Sequence, residues 1–89
     1  MKVDVRLFSI LRDCLPPAGR GSVELPERAT LADLVSHLGI DRHLGCAAAE
    51  LTTAASWQVM VSGQFELDMA RVLRDGDEVH IFPPISGGH

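Results

Sequence analysis

The chain begins with an alternating run of seven residues, KVDVRLF, at positions 2–8. Val3, Val5 and Leu7 occupy every second position of this run. Successive side chains on a strand point to opposite faces, so this period predicts a first strand with one buried face. The same parity places Phe8 on the face opposite to the three aliphatic residues.

A second run of this kind, EVHIF at positions 78–82, lies near the end of the sequence. It follows a turn, RDGD at positions 74–77, and is closed by Pro83 and Pro84, because proline cannot donate to a strand ladder. We therefore predict that this run is the last strand. The first and last strands are the most apolar, which favours neighbouring places at the centre of a sheet.

One amphipathic helix is predicted between these strands. The i, i+3, i+4, i+7 spacing that aligns side chains on one helical face is met by Leu31, Leu34, Val35 and Leu38. Thr30 precedes the stripe as a hydroxyl cap, Asp33 stands three places later, and Gly39 follows the end. This apolar stripe needs a partner surface, which the face of a sheet provides.

The other segments give weaker patterns. Residues 11–20 are expected to form a loop, since they contain two prolines and a glycine. Residues 41–56 are expected to be irregular, with room for one helical turn, because their alanines favour a helix whereas Gly45 and two threonines do not. Short strands are predicted over 22–25, 57–61 and 65–67, the last two joined by a turn at 62–64.

This order of elements predicts an α+β fold, with a mixed sheet of four to five strands and one main helix on one face. A helical crossover allows the first and last strands to lie side by side and parallel. That arrangement is the β-grasp. We predict one domain over residues 1–89, with a flexible carboxy-terminal tail over 83–89.

Composition excludes several functional classes. Hydrophobic residues make up 46% and charged residues 22%, the balance of a globular protein. A net charge of -4 argues against nucleic-acid binding and favours docking onto a basic protein surface. No apolar run approaches the roughly 20 residues that span a bilayer. We therefore predict a cytoplasmic protein that binds neither nucleic acid nor membrane.

The titratable residues show no metal-site or catalytic signature. Cys14 and Cys46 lack the CxxC spacing of a zinc site, and we expect both as reduced thiols. His43 and Cys46 form only a weak pair, and the histidines are interpreted as ordinary surface residues. No catalytic triad or phosphate-binding loop is present in the sequence, so we expect neither a metal nor a bound cofactor.

Two motifs near the end of the chain, LRDGDEV at 73–79 and FPPISGG at 82–88, carry a resemblance to a known family. Together they resemble the small subunit of molybdopterin synthase, the MoaD type of the MoaD/ThiS family of ubiquitin-like sulfur carriers. The double proline shortly before Gly-Gly favours the molybdopterin branch over the thiazole branch. The resemblance implies that the carboxyl terminus carries sulfur.

The resemblance also implies a reaction and its partners. A ubiquitin-activating-type adenylyltransferase (MoeB type) would use ATP to adenylate the carboxylate of Gly88, and a sulfurtransferase would convert it to a thiocarboxylate. The large synthase subunit (MoaE type) would then take up the tail and transfer sulfur to cyclic pyranopterin monophosphate. In this scheme the acid, base and substrate-binding residues belong to the partners.

The chemistry of a sulfur carrier also explains why the tail contains glycines and prolines. A carboxylate is a poor acyl electrophile, so the tail must reach another enzyme's active site to be activated. Gly87 and Gly88 have no side chains and can enter a narrow channel. The segment that leads to them is Pro83, Pro84, Ile85 and Ser86. Its two prolines stiffen it and set its exit direction.

The sequence continues past Gly88 to His89, which makes the Gly88 carbonyl an amide that cannot be adenylated. Either a protease removes His89, or His89 is a residue added for expression, or the protein has left the carrier role. Two other functions stay open: a carrier for another sulfur pathway (thiazole and thiamine, cysteine or a thio-metabolite), and a ubiquitin-like binding module without covalent chemistry.

Phe8 and Phe82 are predicted to lie on the outer face of the sheet as a partner-binding patch, because exposed rings are costly unless covered. The resemblance points to the same two positions and adds Arg12 as a polar contact. The alternative is that Phe8 turns into the core at the strand end. Met60 and Met69 are interpreted as core filler.

Overall fold

The computed structural model describes residues 1–84. Over this range the strands are β1 (Lys2–Leu7), β2 (Arg20–Glu24), β3 (Gln58–Val61), β4 (Gln64–Phe65) and β5 (Glu78–Phe82). The helices are α1 (Leu31–His37) and α2 (Ile40–Leu44), with 3-10 turns at Ser9–Cys14 and Ala48–Glu50. The strands form one sheet in the order β2-β1-β5-β3-β4.

The first and last strands are parallel neighbours at the centre of this sheet, as predicted. Asp4 of β1 lies opposite Glu78 of β5, and Leu7 lies opposite Ile81. The remaining pairs, β1 with β2, β3 with β5 and β3 with β4, are antiparallel. A mixed sheet whose central parallel pair is joined through a helical crossover is the β-grasp arrangement.

Helix α1 begins and ends as the sequence predicts. The Thr30 hydroxyl oxygen accepts a hydrogen bond from the Asp33 amide at 3.1 Å, and the Asp33 carboxylate accepts one from the Thr30 amide at 2.9 Å. This reciprocal capping box satisfies two amide groups that have no partner within the helix. After the helix, Gly39 adopts a φ of 75°, a left-handed conformation that favours glycine.

The apolar core lies between one face of the sheet and the helices. Val3, Val5 and Leu7 of β1 are buried there, as are Val79 and Ile81 of β5. Among residues 1–84 no polar or charged residue is buried. Alternate strand residues therefore fill the core, and the residues between them lie on the opposite side, which we call the outer face of the sheet.

Two segments with weak sequence patterns contain short helical turns in the structure. Residues 9–14 form a 3-10 turn where a loop from residue 11 was expected, since the prolines that prevent regular structure come only afterwards. Helix α2, five residues long, stands at the start of the segment that was expected to be irregular with room for one helical turn, so it agrees with that expectation. Glycines with φ of 75° and 71°, Gly39 and Gly45, bracket it, and Ile40 is fully buried. Leu44, four residues later, packs only partly against the core, so the apolar pattern in the sequence is one turn long.

The prediction for the methionines is half right. Met69 is buried in the core, whereas Met60 is only half-buried. Met60 lies opposite His80 on one side and Phe65 on the other, so it belongs to the outer face. Its neighbours Val59 and Val61 take the core positions of β3. This orientation of Met60 follows from the alternation of side chains along a strand.

Candidate functional site

An aromatic pair lies on the outer face of the sheet, where β1 and β5 end. The rings of Phe8 and Phe82 are stacked, with centroids 4.7 Å apart and planes inclined by 18°. Both side chains are half-buried, and Phe8 does not turn into the core. The sequence predicted that these residues share a face, and the structure brings them into contact. Their role in binding a partner stays a prediction.

His80 belongs to the same cluster, which the sequence interpretation missed. Its ring centroid lies 6.4 Å from that of Phe8 and 6.1 Å from that of Phe82. The signal was available, because His80 precedes Phe82 by two residues on a strand and must share its face. We call Phe8, His80 and Phe82 the aromatic cluster.

Arg12 lies in the 3-10 turn that follows Phe8, and its side chain is exposed. The turn packs closely against Gly19. A Cβ atom placed on Gly19 would come within 2.9 Å of the Arg12 Cα atom and within 2.8 Å of the Leu7 carbonyl oxygen. Gly19 therefore allows the turn to fold against the end of β1, and this contact fixes where Arg12 leaves the surface.

Strand β5 ends at Phe82, within the aromatic cluster. Pro83 and Pro84 follow Phe82 and line an apolar groove of the outer face together with Gln58 and Phe65. A tail that leaves the sheet at this point begins at the edge of the cluster. The other predicted tail residues, Ile85, Ser86, Gly87, Gly88 and His89, lie outside the described residues.

The Cys14 thiol is not an activated nucleophile. Cys14 and Cys46 are both free and half-buried. Burial raises the pKa of the Cys14 thiol, and the nearby Asp13 carboxylate raises it further. A raised pKa keeps the thiol protonated near neutral pH, and only the thiolate is strongly nucleophilic. Cys14 is therefore poorly suited to carry sulfur.

Within residues 1–84 no group of three or more His, Cys, Asp or Glu side chains is arranged to hold a metal ion. None of the helices in this part of the chain is both long enough and apolar enough to span a membrane. The described part of the chain thus combines a stacked aromatic cluster on the outer face with the first two residues of the tail beside it.

A β-grasp fold whose last strand leads into a carboxy-terminal tail defines a ubiquitin-like protein. The model of the ThiS family matches residues 5–88, and the chain belongs to this family. This result confirms the resemblance carried by the two terminal motifs. No curated protein sequence matches the chain.

Several solved structures are similar to the chain. The Haloferax volcanii HVO 2177 protein shares 28% identity with a TM-score of 0.73, over 99% of this chain and 87% of that one. SAMP1 from the same organism shares 22% identity with a TM-score of 0.67, over 99% and 100% of the two chains. A complex of subunits 1 and 2 of molybdopterin-converting factor from Helicobacter pylori matches at 18% identity and a TM-score of 0.58, over 99% and 100%. The last two similarities show the fold alone.

Proposed function

We propose that the chain is a sulfur carrier whose terminal Gly88 is adenylated and then thiocarboxylated. In this account it is the small subunit of a molybdopterin synthase and donates sulfur to cyclic pyranopterin monophosphate in molybdenum cofactor biosynthesis. The observation that carries the proposal is the continuity of β5, the aromatic cluster, Pro83-Pro84 and the Gly-Gly end. The strand that carries the aromatic cluster thus leads directly into the segment that would carry the reacting terminus.

In this proposal the chain supplies the docking contacts and the tail, and its partners supply the catalytic groups. Docking through Phe8 and Phe82, with Arg12 at the side, fixes the domain on a partner, and the stiff prolines then direct the tail into that partner's active site. ATP and the catalytic groups come from the partner. This chain contributes the acyl group, so it is a substrate of the adenylyltransferase and the sulfurtransferase, and a subunit of the synthase.

The large synthase subunit is the proposed sulfur-transfer partner. The structure of a complex between subunits 1 and 2 of molybdopterin-converting factor from Helicobacter pylori supports this proposal. It contains a chain whose fold matches 99% of this one. The Phe-Pro-Pro segment before Gly-Gly supports the molybdopterin branch. We place the reaction in the cytoplasm, and we infer that His89 must be removed before the Gly88 carboxylate can react.

The second candidate is a carrier for another sulfur pathway, because the family model that matches is that of ThiS. One experiment separates the two. The chain ending at Gly88 is converted to its thiocarboxylate and mixed with the large synthase subunit and cyclic pyranopterin monophosphate. We expect sulfur to appear in the pterin product, and the chain with an ordinary carboxylate is the control. A charged carrier that binds the subunit but transfers no sulfur would support the second candidate.

A further inference from the structure

Three basic side chains lie side by side across the outer face of the sheet, next to the aromatic cluster. Arg20 of β2 is directly opposite Arg6 of β1, and Arg6 is directly opposite His80 of β5. Both arginines are exposed, whereas His80 is half-buried against the two phenylalanine rings. We call Arg20, Arg6 and His80 the basic row.

The basic row has no ionic partner within the described chain. Among residues 1–84 the ion pairs join the Met1 amino group to Glu24 and Glu27, and Arg71 to Glu66. Neither arginine of the row takes part in them. Like charges directly opposite each other on a sheet destabilise it, so the stability of the fold does not explain this pair.

The surroundings of the row limit what it can bind. All three of its side chains line a single open groove together with Asp4, Ser22 and Glu78. Asp4 lies opposite Glu78, one step further from the aromatic cluster. The outer face is therefore apolar at the tail exit, basic in the next row and acidic in the row after that.

We propose that the partner that docks on the aromatic cluster presents carboxylates to Arg6 and Arg20. This inference rests on the proposed function and deepens it, since it specifies the chemistry of the partner's docking surface. It reverses the expectation from net charge, which favoured a basic partner surface. Complementarity with a partner depends on the charge of the docking surface itself and not on the net charge of the chain. Most of the acidic residues that make the net charge negative lie outside this surface.

Protein carboxylates fit the basic row better than a polyanion does. The guanidinium group binds a carboxylate with two parallel hydrogen bonds, and two adjacent arginines match a short acidic segment. A phosphate chain that follows the basic row would lie alongside Asp4 and Glu78 in the neighbouring row, and their carboxylates would repel its charges. His80 belongs to both the aromatic cluster and the basic row, and Arg6 lies directly opposite it, so one partner surface can contact the cluster and the row together.

The first test is a calorimetric titration against the purified large synthase subunit of the same organism. The variants are Arg6→Gln, Arg20→Gln and the double substitution. Arg42→Gln is the matched control, because Arg42 is an exposed arginine of helix α2 on the other side of the sheet. We expect the double variant to bind about tenfold more weakly or worse, with a smaller dependence on salt, and the control to bind as wild type.

The second test uses the fact that Lys2 is the only lysine of the chain. Arg6→Lys and Arg20→Lys each introduce one amine, which a water-soluble carbodiimide couples to a carboxylate. The carbodiimide activates the partner's carboxylate, the amine attacks the activated acyl carbon, and an amide bond forms as the spent carbodiimide leaves as a urea. Peptide mass spectrometry should show position 6 or 20 joined to an aspartate or glutamate of the large subunit. Arg42→Lys should give no such link.

The outcomes separate this inference from the proposed function. Suppose that Phe82→Ala loses binding, while the double glutamine variant binds fully and positions 6 and 20 give no cross-link. These results would overturn the carboxylate contact and leave the proposed function standing. Absence of wild-type binding to the large subunit would overturn the proposed function and the inference with it. A third outcome would contradict the proposal. Inorganic polyphosphate would bind the wild type but not the double glutamine variant, and neither lysine variant would give a cross-link to the large subunit. That result would assign the basic row to a polyanion.

Discussion

The rings of Phe8 and Phe82 are stacked with their centroids 4.7 Å apart, although one residue follows the first strand and the other ends the last. They meet because β1 and β5 are parallel neighbours, so both strands end at the same edge of the sheet. Pro83 and Pro84, the first residues of the predicted tail, follow at this edge. Under the proposed function, a partner that binds the aromatic pair would therefore meet the start of the tail at the same edge.

Phe82→Ala should weaken binding to the large synthase subunit by about 2 kcal/mol or more, as expected for an aromatic anchor at the centre of an interface. The fold should lose less, because Phe82 is half-buried on the outer face and makes no part of the core. Titration calorimetry and thermal unfolding measure the two effects. Val72→Ala, at a half-exposed aliphatic position, is the control. If the variant loses stability while its affinity per folded molecule is unchanged, Phe82 has a structural role and is not a binding anchor.

Gly19→Ala should destabilise the protein more than Gly76→Ala does. Both glycines have positive φ, 76° and 87°, so each substitution incurs a conformational cost of about 1–2 kcal/mol. Only at Gly19 does the added Cβ meet backbone atoms, at 2.8 and 2.9 Å, which adds overpacking of about 1–3 kcal/mol. Urea unfolding of both variants tests this comparison. Equal losses would show that the turn carrying Arg12 is free to move.

Cys14 should react slowly with iodoacetamide, because burial and Asp13 raise its pKa and so lower the thiolate fraction at neutral pH. The measurement uses a Cys46→Ser background, so that one thiol is followed. The pH midpoint of the alkylation rate should lie higher in the folded protein than in urea. Asp13→Asn should shift the folded midpoint partly back. A folded thiol that reacts as fast as the unfolded one contradicts the assignment.

Gly87→Ala tests whether the partner's channel selects glycine by close approach. The added methyl group leaves the Gly88 carboxylate chemically unchanged, and docking through the sheet face should also be unchanged. We expect single-turnover adenylation and sulfur transfer to fall about tenfold or more, roughly 1.4 kcal/mol of activation free energy. Ser86→Ala, measured alongside, is the control. Rates equal to wild type would reduce Gly87 to a flexible spacer.

The sequence predicted those parts of the molecule whose pattern is local. The alternation in β1 and β5, the cap at Thr30 and the stripe of α1 each lie within a few consecutive residues, and the structure confirms them. The parallel central pair followed from the order of elements. The shared face of Phe8 and Phe82 followed from strand parity alone.

What could not be predicted depends on register between distant strands. That Arg6 lies opposite Arg20 is decided by how β2 pairs with β1, and β2 begins two residues earlier than its predicted start. The short helix α2 packs on the core through Ile40 and in part through Leu44, and two left-handed glycines bracket it, so its apolar pattern spans little more than one turn. The basic row is visible only once these pairings are known.

The central claim is that the Gly88 carboxylate accepts sulfur. The chain ending at Gly88 and the chain ending at His89 are each incubated with the cognate adenylyltransferase, the sulfurtransferase, ATP and a sulfur donor, and their intact masses are measured. The account predicts that only the shorter chain gains mass, by the difference between one sulfur and one oxygen atom. A shorter chain that stays unmodified, or a chain that accepts sulfur while retaining His89, would contradict it.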